Sequence, residues 1–252
     1  MKYIDVHAHL EEEIFDKDRE LILKECKEKE ITIINVGSKP QANRKVLELK
    51  AKHPQLFIGL GIYPLNGIEM TDKEFFDELK FIEQNKNKLC CIGEVGIDFY
   101  WIKDEAQKLR EIEQFSELIW LANKLNLPLN VHSRNAEELV LQMILKSAHV
   151  PSIMHSYGGD PILAKASIKQ NIYFSIPPLI IRSKKLQKLA EILPIEKILT
   201  ETDAPYQGPT SERNDPRNIP LVIKKIAEIK KMQEEEVRLK ILENAQKIFK
   251  GL

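Results

Sequence analysis

The chain has 252 residues, with 38 Lys plus Arg against 38 Asp plus Glu, and is 43% hydrophobic and 30% charged. That composition belongs to a globular protein able to bury a large core, which excludes disordered and fibrous classes, and the zero formal net charge excludes a global positive field that would draw in duplex nucleic acid. No apolar stretch approaches the ~20 residues needed to cross a bilayer, and charged residues stand where a signal peptide has its apolar segment, so a cytoplasmic location without a membrane partner is expected.

The first element is the apolar run Met1-Lys2-Tyr3-Ile4-Asp5-Val6, which reads as a strand over 2–7 that ends at His7 and His9. On a strand, residues i and i+2 point to the same side, so both imidazoles can face one point. Short apolar runs at 31–36 and 56–61 read as the next two strands. Thr71-Asp72-Lys73-Glu74 ahead of Phe75-Phe76 has the form of a capping box that starts a helix. A fourth strand over 89–93 leads directly to Glu94. Leu109, Ile112, Phe115, Leu118, Ile119, Ala122 and Leu125 then recur every three or four residues, the spacing of one helix face. Strands over 127–131, 150–154, 171–175 and 197–200 follow, the first two ending just before His132 and His155, and the last shortly before Asp203. Val237, Ile241, Leu242, Ala245, Ile248 and Phe249 share a face of a final helix suited to closing an outer layer.

Eight strands alternating with helices imply a parallel sheet closed into a single TIM (β/α)8 barrel, and about 250 residues is the usual length of one. Pro and Gly do not cluster into a linker, so residues 1–252 are expected to form one domain. Active sites of such barrels lie at the carboxyl ends of the strands, where His7, His9, Glu94, His132, His155 and Asp203 all fall. Imidazole and carboxylate without thiolate suit zinc, manganese, iron or magnesium, and Glu94 could bridge two ions about 3.5 to 4 Å apart. Taken singly, each residue has an ordinary structural reading. H-x-H alone is a weak motif, Glu94 could be a rim carboxylate, and His132 and His155 could be polar caps. The concurrence of six such groups at one end of five strands favours a metal site. The other histidines, His53 and His149, read as surface residues. Cys26, Cys90 and Cys91 form no C-x-x-C pair and read as buried apolar side chains.

These motifs resemble the TatD-type deoxyribonucleases of the metal-dependent hydrolase superfamily along nearly the whole chain. The resemblance rests on Ile4-Asp5-Val6-His7-Ala8-His9-Leu10, Gly59-Leu60-Gly61-Ile62-Tyr63-Pro64 and Ile92-Gly93-Glu94-Val95-Gly96-Ile97-Asp98-Phe99-Tyr100. It continues through Leu127-Pro128-Leu129-Asn130-Val131-His132-Ser133-Arg134, His155-Ser156-Tyr157-Gly158-Gly159 and Thr200-Glu201-Thr202-Asp203-Ala204-Pro205-Tyr206. It implies two divalent ions (Mg, Mn or Zn), one held by His7, His9, Glu94 and Asp203 and the other by Glu94, His132 and His155. Asp203 would also orient or deprotonate the attacking water. The substrate implied is DNA, cleaved at phosphodiester bonds from a 3′ end, and the zero net charge, a deep rim site and few aromatics fit a short, single-stranded or end-bound substrate better than a long duplex groove.

The chain departs from the family pattern at Tyr63, where the family has histidine, and at Ser156-Tyr157-Gly158-Gly159, where it has Cys-Phe-Ser-Gly. Pro177-Pro178 replaces a common glycine. Glu212-Arg213-Asn214-Asp215-Pro216 keeps Arg-Asn-x-Pro without the preceding Gly-Lys. Arg134 and Arg213 are the expected phosphate contacts, since arginine offers a bidentate fork, whereas Arg182 reads as a surface charge. Tyr63 and Tyr157, with Tyr100 and Trp101, are candidates to stack on unpaired bases. A metal-dependent hydrolase of a carboxylic ester, lactone or amide is the alternative enzyme, because the same chemistry attacks carbon or phosphorus. A barrel merely stabilised by metal is a third reading. No obligate protein partner is evident.

Overall fold

The structure is a computed structural model and describes residues 1–168 and 171–252. Among them, eight parallel strands lie in sequence order: β1 (Tyr3–Ala8), β2 (Ile31–Val36), β3 (Phe57–Leu60), β4 (Cys91–Asp98), β5 (Leu129–Arg134), β6 (Ser152–Met154), β7 (Ile172–Ile176) and β8 (Ile198–Thr200). The helices are α1 (Arg19–Glu28), α2 (Pro40–Lys52), α3 (Pro64–Glu69), α4 (Asp72–Gln84), α5 (Glu105–Leu125), α6 (Glu137–Ser147), α7 (Pro161–Ser167), α8 (Lys184–Ile192), α9 (Ile219–Lys230) and α10 (Glu234–Ile248). The sheet nearly closes on itself. Beyond the end of β8, Asp203 N–H donates to His7 O at 2.8 Å and His9 N–H donates to Ala204 O at 2.8 Å, while Thr200 Oγ1 donates to Ile4 O at 2.6 Å. This is the expected (β/α)8 architecture, and the strands are buried almost throughout, as a parallel sheet covered by helices must be.

Local sequence explains the helix ends. Thr71 Oγ1 accepts the Glu74 N–H at 3.3 Å and Thr71 N–H donates to Glu74 Oε2 at 2.8 Å, so the capping box is formed. Asp104 accepts the Gln107 N–H at the start of α5, and Asn126 in the left-handed region (φ 52°) ends it. Val237, Ile241, Leu242, Ala245, Ile248 and Phe249 are buried, so the final helix does close the outer layer. Leu109 does not follow its expected face and is 60% exposed. Successive steps of three residues drift about 60° around a helix, so Leu109 lies well off the stripe centred on Phe115 and Leu118. Cys26, Cys90 and Cys91 are buried free thiols. His149 is exposed, whereas His53 is half-buried with Nε2 3.1 Å from Glu20.

The main difference from the sequence reading is at the rim. β4 runs to Asp98 and β5 to Arg134, so Glu94 and His132 sit inside strands rather than after them. Gly93 and Gly96 let β4 and β5 pass at close range. A Cβ on Gly96 (φ 147°) would run into the His132 carbonyl, and one on Gly93 would lie 2.5 Å from the Asn130 Cβ. The β4–β5 register shifts between Ile92 and Val95, the stretch that carries Glu94.

Candidate metal centre

Six side chains expected at the site converge. β1 delivers His7 and His9, β4 delivers Glu94, β5 delivers His132, and His155 follows β6 directly. Asp203, three residues past β8, adopts φ 54°. All but His132 are almost fully buried. The carboxylate of Glu94 divides the cluster. Its Oε2 lies 3.5 Å from His9 Nε2 and 3.9 Å from His7 Nε2, while its Oε1 lies 3.2 Å from His132 Nδ1 and 3.0 Å from His155 Nε2. Asp203 Oδ1 is 3.7 Å from both His7 Nε2 and His9 Nε2.

Outer partners fix which imidazole nitrogens carry protons. Asn130 Nδ2 donates to Val6 O at 2.8 Å, so its Oδ1 faces His7 Nδ1, also at 2.8 Å, and that nitrogen must hold the hydrogen. His9 Nδ1 lies 2.9 Å from the Val36 carbonyl and must likewise donate. The two remaining lone pairs, on His7 Nε2 and His9 Nε2, then point at each other across 3.0 Å. His132 Nε2 faces Asp98 Oδ2 at 3.1 Å, which leaves Nδ1 as a lone pair 3.2 Å from His155 Nε2. Neutral imidazoles repel in such an arrangement, and a shared cation removes the repulsion. The donor set therefore fits divalent metal. Two of the groupings that can surround one ion are His7, His9 and Glu94, and Glu94, His132 and His155.

The electrostatics agree. Burial disfavours the His9 and His132 cations, yet facing carboxylates outweigh it: Glu11, Glu94 and Asp203 lift His9 to about 10, and Asp98 and Glu94 lift His132 to about 9. His7 is held well below the usual range by burial and by His155. Burial pushes Asp203 up to about 6 and Glu201 up to about 8. Burial also opposes the Glu94 carboxylate, but hydrogen bonds from His132 and His155 keep it ionised. Protons and metal ions compete for the same lone pairs, and this cavity attracts either.

Asn130, Asp98, Asp5 and Glu201 were not singled out by sequence reasoning. Asp5 accepts the His7 N–H at 3.1 Å and the Thr202 N–H at 2.9 Å, locking β1 to the loop that carries Asp203. Glu201 accepts from Ser156 N–H at 2.7 Å and Ser175 Oγ at 2.5 Å, and lies 3.8 Å from His155 Nδ1. Each stands within a motif already noted, and a polar residue facing into an otherwise apolar strand was the available signal.

A cavity of about 570 Å³ opens over the cluster, lined by Tyr63, Arg134, Glu12, Glu137, Tyr206 and Gln207 as well as the ligand residues. Tyr63 donates to Asp98 Oδ2 at 2.7 Å, the same oxygen that faces His132. Two expected substrate contacts are placed elsewhere. Tyr157 is buried at 1% exposure, with its ring 5.2 Å from Phe174 and its hydroxyl donating to Asp160 O, in a space that a Cβ on Gly159 would invade, 2.3 Å from the hydroxyl oxygen. Arg213 pairs with Asp18, donates to Ile14 O at 2.8 Å and lies over the Phe15 ring, which spends its fork on tying the β8 loop to the β1 loop. Arg182 is exposed.

The fold and the donor cluster define a barrel-type metal-dependent hydrolase. The TatD-related DNase family model matches residues 4–250. An uncharacterized metal-dependent hydrolase of Methanocaldococcus jannaschii is 35% identical over 99% of this chain and 98% of its own. Human deoxyribonuclease TATDN3 is 33% identical over 99% of this chain and 95% of its own. Among solved structures, the TatD homologue YjjV of Escherichia coli superposes with a TM-score of 0.89 at 22% identity, covering 98% of each chain. The chain belongs to the TatD-related DNase family, whose members are metal-dependent hydrolases.

Proposed function

We propose that residues 1–252 form one catalytic barrel domain of a cytoplasmic deoxyribonuclease that uses two divalent ions (Mg, Mn or Zn) to remove nucleotides from the 3′ end of single-stranded DNA. The observation that carries this reading is the division of the Glu94 carboxylate, with one oxygen facing His7 and His9 and the other facing His132 and His155. The family resemblance to deoxyribonucleases supplies the substrate class. His7, His9, Glu94 and Asp203 would hold one ion, and Glu94, His132 and His155 the other. Bound there, the ions would supply positive charge to the phosphoryl oxygens and lower the pKa of water.

The chain's own groups do the rest. Asp203, with its pKa raised to about 6 by burial, is ionised at neutral pH and poised to take a proton from the attacking water. Asn130 and the Val36 carbonyl hold His7 and His9 in the tautomers that turn Nε2 inward. Asp98 does the same for His132 and is itself held by the Tyr63 hydroxyl. Burial and Asp98 raise the Tyr63 phenol far above its ordinary range, so Tyr63 stays protonated and positions Asp98 instead of delivering a proton. Arg134 is the cation available to a phosphate at the mouth.

The test is shortening of a 5′-labelled single-stranded oligonucleotide with Mg, Mn or Zn, against metal-stripped enzyme and Asp203→Asn. Metal-dependent loss of 3′ nucleotides that the variant lacks supports the reading. Two bound metal equivalents with an intact oligonucleotide refute the substrate. In that event esters, lactones and amides come next, a reading favoured by one specific observation: outside the ligand set, the cavity lining carries one cation, Arg134, against two carboxylates, Glu12 and Glu137.

A further inference from the structure

Beside the cavity mouth, the loop after β4 leaves two large aromatic rings in solvent, with Tyr100 41% and Trp101 59% exposed. They form one assembly, their ring centroids 4.7 Å apart and nearly perpendicular. The Arg134 guanidinium lies 3.7 Å over the Tyr100 ring and 5.5 Å from the centre of the Trp101 ring. Stacking engages the face of a guanidinium and leaves its N–H fork free.

Among the described residues that fork has no competing partner. No carboxylate among them pairs with Arg134, whereas Arg44 and Arg213 each hold one and Arg217 holds two. Arg134 is also the one Lys or Arg among the residues lining the cavity over the metal centre. A second cation is drawn to the same spot, since Lys103 Nζ donates to Tyr100 O at 3.2 Å and has no carboxylate partner among the described residues. An exposed indole, a stacked but unsatisfied guanidinium and a nearby ammonium match one chemistry, an unpaired base joined to a phosphate.

We propose that Trp101, Tyr100 and Arg134 clamp the nucleotide next to the one being cleaved, with its base stacked on Trp101 and its phosphate in the free fork of Arg134. The clamp rests on the phosphodiesterase reading above and adds to it a reason for choosing single strands. A base inside a duplex is already stacked on both faces and cannot lie on the indole.

Two measurements separate the clamp from the reading it rests on. In the metal-loaded enzyme, Trp101→Ala should raise KM for oligothymidylate about tenfold, leave kcat within about twofold and leave turnover of the base-free bis(p-nitrophenyl) phosphate unchanged, and Trp101→Phe should restore most of the loss. Trp101 is one of two tryptophans, so in a Trp120→Phe background its emission alone is read. Phosphorothioate-linked oligothymidylate should quench that emission, and an abasic oligomer of equal length should not. An unchanged KM in Trp101→Ala, or equal quenching by the abasic oligomer, overturns the clamp while the phosphodiesterase reading stands. If the wild type hydrolyses neither substrate, the phosphodiesterase reading falls and the clamp falls with it, an outcome distinct from loss of the clamp alone.

Discussion

The floor and the rim of the barrel mouth are built on different principles. On the floor, His7, His9 and His132 are each held from behind by Asn130, the Val36 carbonyl and Asp98, on strands whose register fixes their direction. On the rim, Arg134 and Trp101 are exposed and held by ring stacking, while Arg213 has been drawn into a loop-to-loop ion pair. A preorganised floor suits chemistry that tolerates little displacement, and an open rim suits recognition of a flexible chain.

The sharpest way to break this contrast is Glu94→Ala, which removes the carboxylate shared by both halves of the floor. It should abolish binding of the metal pair and cost activity well beyond the 10–100-fold typical of outer-shell partners, checked by metal analysis and turnover. Asp203→Asn keeps the shape of the side chain and most of the donors. It should lower kcat by about 10²- to 10⁴-fold while metal is retained, measured by kinetics and metal content on one preparation. Asn130→Leu frees the His7 tautomer and should weaken metal affinity about 10- to 100-fold, read by titration with a competing chelator.

Stability against pH distinguishes the same two regions. The folded pKa values of Asp5 (about 7), Asp203 (about 6), Glu201 (about 8), His132 (about 9) and His9 (about 10) all exceed their unfolded values. Raised groups bind protons more tightly when folded. Their contribution is present at low pH and is lost as pH rises, between about 4 and 8 for the carboxyls and between about 6.5 and 10 for the histidines. His7, which is lowered, acts in the opposite sense, and it is outnumbered. Metal-stripped protein should therefore melt at a lower temperature at pH 9 than at pH 6. Added metal should reverse that loss, and its apparent affinity should keep rising up to about pH 10, because the imidazolium protons must leave first. At the rim, Arg213→Ala should change little. The half-exposed pair with Asp18 is worth at most about 1 kcal/mol, so the melting temperature should fall by no more than about 2–4 °C and KM should stay the same.

The floor was legible in the sequence because its residues ride on strands, where a period of two and an apolar run predict both position and direction. His155 fell just after its strand as expected. Glu94 and His132 converged as expected although their strands run farther than the apolar runs suggest, and Gly93 and Gly96 let β4 and β5 pack closely there. The outer partners Asn130 and Asp98 were hidden because a buried amide or carboxylate within a strand gives no period of its own. The rim was least legible. Tyr157 turns into the core against Phe174, and Arg213 meets Asp18 far away in sequence, and both outcomes depend on loop paths that no local pattern encodes.

Whether Glu94 joins two cations is tested most directly by titrating metal-stripped protein with manganese and recording its electron paramagnetic resonance. Two equivalents bound with the spectrum of a spin-coupled pair, lost in Glu94→Ala, are the predicted result. A single equivalent, or two with uncoupled signals, would contradict it.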